Sequence, residues 1–150
     1  MRRHGGFTLM EMLVVLGIIS VLAGLLVSGI VVARRQARKN TTRMMMENIA
    51  LALERYSGDY GQYPDGSGNE ASAEILYRAL AEKSGFGPYL KGLGDRQVGD
   101  TDGDGARELL DGWGQPIRFT DGRYLPDDRD YELRSAGPDG AWNTGDDLVK

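Results

Sequence analysis

The sequence predicts an α+β protein in which one long N-terminal helix precedes a small head built on a short antiparallel sheet. Three observations carry this expectation. Residues 7–33, FTLMEMLVVLGIISVLAGLLVSGIVVA, form an apolar run that holds a single charge, Glu11. Beyond it, apolar positions recur at steps of three or four as far as Tyr56, which is the helical period. After the glycines and proline of residues 58–64 come short stretches bearing Ile117, Phe119, Tyr124, Tyr131 and Leu133. These are strand-forming residue types, and Thr120-Asp121-Gly122-Arg123 reads as the hairpin turn between them.

The apolar run is long enough to span a bilayer. Met12 to Ala33 carries no charge, and at about 1.5 Å per residue it makes a helix of roughly 33 Å. A secretory signal has a shorter apolar core of about 7–15 residues, and Val31 and Ala33 imitate its cleavage site only weakly. Arg2 and Arg3 precede the run, while Arg34, Arg35, Arg38 and Lys39 follow it; by charge count alone the C-terminal part would face the cytoplasm. Glu11 is the anomaly. An ionised carboxylate inside a membrane costs on the order of 3 kcal/mol or more, so it calls for a partner. The nearest one is the α-amino group created if the chain is cut before Phe7. Gly17, Gly24 and Gly29 would let helices approach closely.

The segment Gly6-Phe7-Thr8-Leu9-Met10-Glu11-Met12-Leu13 resembles the class III signal of type IV pilins and type II secretion pseudopilins. The resemblance implies that a prepilin peptidase cuts after Gly6 on the cytoplasmic side and methylates Phe7, leaving the remainder in the periplasm. It also implies that Glu11 pairs with the N-terminal ammonium of a neighbouring subunit as that subunit enters a filament. Opposite charges in a low-dielectric layer attract strongly, whereas either alone is penalised by desolvation. The plain alternative is an uncleaved signal anchor with Glu11 near the membrane edge. On this reading residues 1–6 are a leader, 7–33 a transmembrane and filament-core helix, 34–57 its amphipathic continuation, and 58–150 a periplasmic head.

In the continuation, Ala37, Thr41, Met45, Ile49, Leu53 and Tyr56 mark the inward stripe, with Lys39, Arg43, Glu47 and Glu54 between them. Met44-Met45-Met46 reads as core filling. Tyr56, Asp59, Gly61, Tyr63 and Pro64 resemble the Y-x-x-D-x-G-x-Y-P turn of major, G-type pseudopilins, where glycine and proline stop the helix. Residues 71–83 predict a short helix with Ile75, Leu76, Ala79 and Leu80 inward. Asp111-Gly112-Trp113-Gly114-Gln115-Pro116 is similar to the D-x-W-G-x-P element that leads into the family's sheet.

Two acidic loops suggest calcium. Residues 135–148 resemble the C-terminal loop where G-type pseudopilins bind one Ca2+, and the resemblance puts Asp139, Asp146 and Asp147 on the ligand carboxylates with backbone carbonyls near Ala136. Ca2+ takes roughly six to eight hard oxygens, and glycine-rich backbone lets them converge; a merely solvated acidic tail is the alternative. The second loop places Asp100, Asp102, Asp104, Gly105, Glu108 and Asp111 at positions 1, 3, 5, 6, 9 and 12 of an EF-hand pattern. Asp111 stands where the pattern asks for the longer Glu, and no helix is evident in residues 91–99, so a lone loop fits better than a complete hand. Asp-Gly repeats that simply make tight turns are equally consistent. The 91–110 insertion is longer than a G-type pseudopilin leads one to expect.

The formal net charge is −4, and loss of Arg2 and Arg3 with a leader makes it more acidic, which argues against nucleic acid as a general partner. Arg34 to Arg43 is the basic exception and reads as a juxtamembrane face. There is no cysteine, hence no disulfide or thiol chemistry. The single histidine, His4, would leave with the leader, so enzymatic catalysis is not expected. The resemblance implies a structural subunit at the inner membrane, drawn by an assembly ATPase and platform protein into a homo-oligomeric filament with minor pseudopilins. The alternative from another class is a membrane-anchored, calcium-dependent adhesion or recognition head that does not polymerise.

Overall fold

The computed structural model describes residues 7–69, 71–82 and 85–150, without the side chains of 25–29. In chain order the elements are α1 (Leu9–Tyr60), α2 (Ala71–Leu80), β1 (Val98–Gly99), β2 (Glu108–Leu109), β3 (Arg118–Asp121), β4 (Tyr131–Ser135) and β5 (Leu148–Val149). Short 3-10 turns lie at Gly122–Tyr124 and Gly137–Asp139. The chain forms two compact units, Met1–Gln36 and Ala37–Lys150.

In the first unit α1 exposes its large apolar side chains, from Leu9 and Met10 through Leu22 to Ile30, Val31 and Val32. Among the described residues no helix is long and apolar enough to cross a membrane. The side chains of 25–29, in the C-terminal part of the predicted 7–33 span, lie outside the described residues, as does the predicted leader, 1–6.

In the second unit α1 buries Thr42, Met45, Met46, Ile49, Ala50, Ala52 and Leu53. The predicted stripe holds at Met45, Ile49 and Leu53 and in part at Tyr56, which is half-buried, but not at Ala37 or Thr41, which are exposed. The reason is geometric: successive steps of four residues drift by about 40° each on a 3.6-residue helix, whereas the observed face mixes threes and fours. Within the methionine triplet, Met45 and Met46 are core and Met44 is 67% exposed. The helix runs four residues past Tyr56 and ends at Gly61, whose φ of 73° and N–H to the Ser57 carbonyl (2.8 Å) make a left-handed cap.

α2 ends at Leu80, short of Lys83, which lies outside the described residues. The Leu80 carbonyl accepts both Tyr89 and Leu90 N–H at 2.8 Å. Leu76 and Leu80 are fully buried as expected, while Ser72 and Ala73 replace Ile75 and Ala79 as their deepest companions. Ser72 stitches helix to sheet: its Oγ donates to the Asn69 carbonyl and accepts the Phe119 N–H.

The main sheet is antiparallel in the order β3-β4-β5, with Arg118 opposite Arg134, Phe119 opposite Leu133, and Ser135 opposite Leu148. Side chains alternate across it, so Phe119, Leu133 and Leu148 join Ile49, Leu53, Leu76, Leu80, Leu109 and Ile117 in one core. The segment after α1 lies against β3, where Gly68 N–H reaches the Phe119 carbonyl at 2.9 Å and Asp121 N–H the Gly66 carbonyl at 2.7 Å. A Cβ on Gly66 would overlap the Phe119 ring.

The predicted hairpin at Thr120–Arg123 is corrected. β3 continues through Asp121, and the Asp121 carboxylate accepts the Arg123 N–H at 2.9 Å, starting a 3-10 turn instead of a two-residue reversal. Tyr124 falls in that turn, 54% exposed, and not in a strand. The 91–110 insertion holds a separate two-stranded ladder, β1 with β2.

Candidate functional site

At the start of α1, Thr8 and Glu11 cap the helix reciprocally. Thr8 N–H and Oγ both donate to Glu11 Oε2, at 2.8 and 2.9 Å, and Glu11 N–H donates to Thr8 Oγ at 3.2 Å. This is the T-x-x-E capping box, which satisfies amides that the first turn leaves without helical partners. Glu11 is exposed here and Phe7 is 76% exposed. Gly6 lies outside the described residues.

Asp111 is buried, and its carboxylate builds a turn. Oδ1 accepts the N–H groups of Trp113 and Gln115 at 2.8 and 2.9 Å, and Oδ2 accepts Ser135 Oγ at 2.5 Å. Gly114 adopts φ 84°. The adjoining Gly112 presses against the backbone of Arg38 so closely that a Cβ would collide with that carbonyl, and its N–H donates to Thr42 Oγ1 at 2.9 Å. With Oδ1 engaged in the D-x-W-G-x-P turn and Oδ2 on Ser135 of β4, both Asp111 oxygens already have donors outside the acidic loop with which the sequence spacing groups it.

That loop, residues 100–107, connects β1 to β2 and is therefore a hairpin loop with no flanking helices. Asp100 sits at its centre, accepting Gly103 N–H at 2.7 Å and Gly105 N–H at 2.9 Å; both glycines have positive φ. Asp102 and Asp104 instead reach toward α2. Together with Glu74 they put three carboxylate oxygens within 4.8 Å of one another. Burial raises the Glu74 pKa above the ordinary glutamate range, and repulsion from Asp104, Asp102 and Glu108 adds to the shift, while Arg78 opposes it. Glu108 is buried and accepts Thr101 N–H and Oγ1.

In the C-terminal loop, Gly137 (φ 69°) brings the backbone against the Asp146 carbonyl. Asp146 Oδ1 accepts Thr144 Oγ1 at 2.7 Å. This hydrogen bond is the first cause holding the Asp146 carboxyl below the ordinary aspartate range; side-chain and backbone hydrogen bonding with Asp139 adds to it, against a desolvation cost. Asp139 and Asp146 are thus side by side. Asp147 stands beside Asp146, with its Oδ1 3.1 Å from the same Thr144 Oγ1, while its Oδ2 accepts Asn143 N–H at 3.0 Å.

A family model described as the prokaryotic N-terminal methylation motif matches residues 1–27. Type II secretion system core protein G of Pseudomonas aeruginosa is 30% identical over 140 residues, covering 93% of this chain and 87% of the relative. The chain belongs to the type II secretion core protein G family. Core protein G of Escherichia coli is 31% identical over 150 residues, 98% of this chain and 90% of its own length. That of Pectobacterium carotovorum is 30% identical over 147 residues, with 97% and 83% covered. No solved structure matches the chain.

Two residues of this chain escaped the sequence reading. Thr8 was legible, because T-x-x-E before an apolar run is a helix-start signature. Glu74 was not, because only the packing of α2 against β2 brings it to the 100–107 loop.

Proposed function

We propose that this chain is a structural, non-catalytic subunit of a type II secretion pseudopilus. In this reading prepilin peptidase cuts after Gly6 and methylates Phe7, residues 7–33 anchor the chain once across the inner membrane, and the head faces the periplasm. The same apolar helix then packs the core of a homo-oligomeric filament that also holds minor pseudopilins, with Glu11 meeting the ammonium of an adjacent Phe7. Similarity to core protein G along nearly the whole chain carries this reading. The test is mass spectrometry of the chain produced with a prepilin peptidase. N-methylated Phe7 at the mature terminus is expected, and an intact leader would overturn the reading in favour of a simple anchor.

Calcium belongs to the same proposal. Asp139 and Asp146 supply adjacent hard oxygens, and the close approach of the Gly137 backbone to Asp146 would put backbone carbonyls near Ala136 in reach of a shared shell. Asp147 would contribute Oδ1, which faces Thr144 Oγ1 beside Asp146, while its Oδ2 stays with Asn143 N–H. Asp102 and Asp104, joined by Glu74, make a second candidate position, with Asp100 organising the loop around them. A bound ion would clip the C-terminal segment of a cysteine-free head and stabilise it by mass action. Chelation should then make residues 136–147 protease-sensitive; unchanged resistance would remove calcium from the account.

A further inference from the structure

Arg118 on β3 and Arg134 on β4 stand directly opposite one another, on the sheet face away from Phe119 and Leu133. Like charges in such register are destabilising unless other groups share their charge. The C-terminal loop supplies those groups. The Trp142 ring lies 4.0 Å from the Arg118 guanidinium carbon, a favourable cation–π distance. Asn143 Oδ1 accepts Arg134 Nη1 at 2.7 Å. Asn143 adopts φ 67°, a left-handed conformation that asparagine tolerates better than most residues. There its own N–H donates to Asp147 Oδ2, and that oxygen lies 3.9 Å from the same Arg134 Nη1. On the strand side, Glu132 Oε1 sits 3.1 Å from Arg134 Nε, an ion-pair distance without hydrogen-bond geometry.

We propose that Arg134, with Arg118, is a metal-independent latch holding the C-terminal loop on the sheet through Asn143 and Trp142, and that Arg134, by engaging Asp147, opposes binding of a divalent cation in that loop. The second half rests on the cation reading given above. A guanidinium close to a carboxylate competes for its lone pairs and repels an incoming dication. By linkage, whatever Arg134 takes from cation affinity the cation takes from the grip of Arg134. Arg134 therefore acts as a positioning residue with a signature that distinguishes it from ordinary structural packing: its removal loosens the empty loop and tightens the ion.

The experiment is hydrogen exchange on the full chain in detergent micelles, first in chelator and then across a calcium titration, for the wild type, Arg134→Gln, Arg134→Lys and Asn143→Gly. In chelator, Arg134→Gln should speed exchange in residues 141–147 by about tenfold while the Phe119 and Leu133 amides are unchanged. In the titration, its calcium half-saturation should fall by about three- to tenfold. Arg134→Lys keeps the charge without the fork, so it should lose loop protection but retain the wild-type calcium midpoint. Asn143→Gly preserves the backbone conformation and removes only the acceptor of Arg134, so it tests the latch independently if Arg134→Gln fails to fold. Unchanged loop exchange in chelator overturns the latch. Calcium affinity equal to or weaker than wild type in Arg134→Gln overturns the opposition and leaves Arg134 a structural residue. A wild-type chain with no calcium response overturns the cation reading and the opposition together, and the chelator measurements then decide the latch alone.

Discussion

The hydroxyl of Thr42, fully buried on α1, accepts the Gly112 N–H at 2.9 Å while donating to the Arg38 carbonyl at 3.0 Å. One small polar side chain thereby fixes where the turn that opens the sheet meets the long helix. Thr42→Val keeps the shape and leaves the Gly112 N–H without its acceptor. It should cost about 1–3 kcal/mol, read as a lower urea midpoint of the full chain, with Thr42→Ser recovering most of the loss.

The two roles of Glu11 separate by substitution. Glu11→Gln retains an acceptor for Thr8 N–H and Oγ but carries no charge, whereas Glu11→Ala loses both. Each variant should be processed normally and fail to form filaments. Only Glu11→Ala should also fray the first turn by removing the acceptor of Thr8 N–H and Oγ, visible as faster amide exchange at residues 9–12. Normal filament yield from Glu11→Gln would remove the charge-pairing role.

Asp111→Asn replaces one of two fully used oxygens with an amide, so either the Trp113 and Gln115 N–H groups or Ser135 Oγ loses its acceptor. Stability should drop by about 2–4 kcal/mol. Calcium stoichiometry should stay the same, because this carboxylate builds the turn; a lost ion in calorimetric titration would restore Asp111 to the acidic loop.

Glu74 has its pKa raised, so its contribution to metal-free stability is present below the ordinary glutamate value and is lost as pH rises through the folded value. At neutral pH it is a repelled carboxylate. Glu74→Gln should therefore raise the metal-free melting temperature and weaken any cation held with Asp102 and Asp104. A lower melting temperature in chelator would contradict this.

Asp121 is shifted the opposite way. Burial pushes its carboxyl up, but the Arg123 side chain and N–H outweigh that and hold it below the ordinary aspartate range. Its stabilising contribution is thus present above pH about 4 and lost as pH falls through the folded value. Asp121→Asn should lower the urea midpoint at pH 7 and flatten the acid limb of the midpoint-against-pH curve.

The long helix, the short helix and the two strands around Phe119 and Leu133 were legible because each follows a local period or a local stop, as with Gly61 after Tyr60. The ends and faces were less so. Thr41 was read as buried instead of Thr42 because four-residue steps slowly leave a 3.6-residue face. Tyr124 was read as strand because nothing local reveals that Asp121 caps a 3-10 turn.

The amino-acid order alone determined the apolar run with its lone Glu11, the helix-start box at Thr8, the glycine and proline stops and the positions of the two acidic loops, since each depends on neighbours a few residues apart. Only the tertiary structure decided which acids stand together. Asp111 faces Ser135, Glu74 joins Asp102 and Asp104 from another element, and Asp146 and Asp147 meet at Thr144 Oγ1 while Arg134 lies 3.9 Å from the second Asp147 oxygen. Carboxylates repel at a distance and are placed by whatever donor the packed chain brings to them, so their grouping depends on contacts that spacing along the chain does not record.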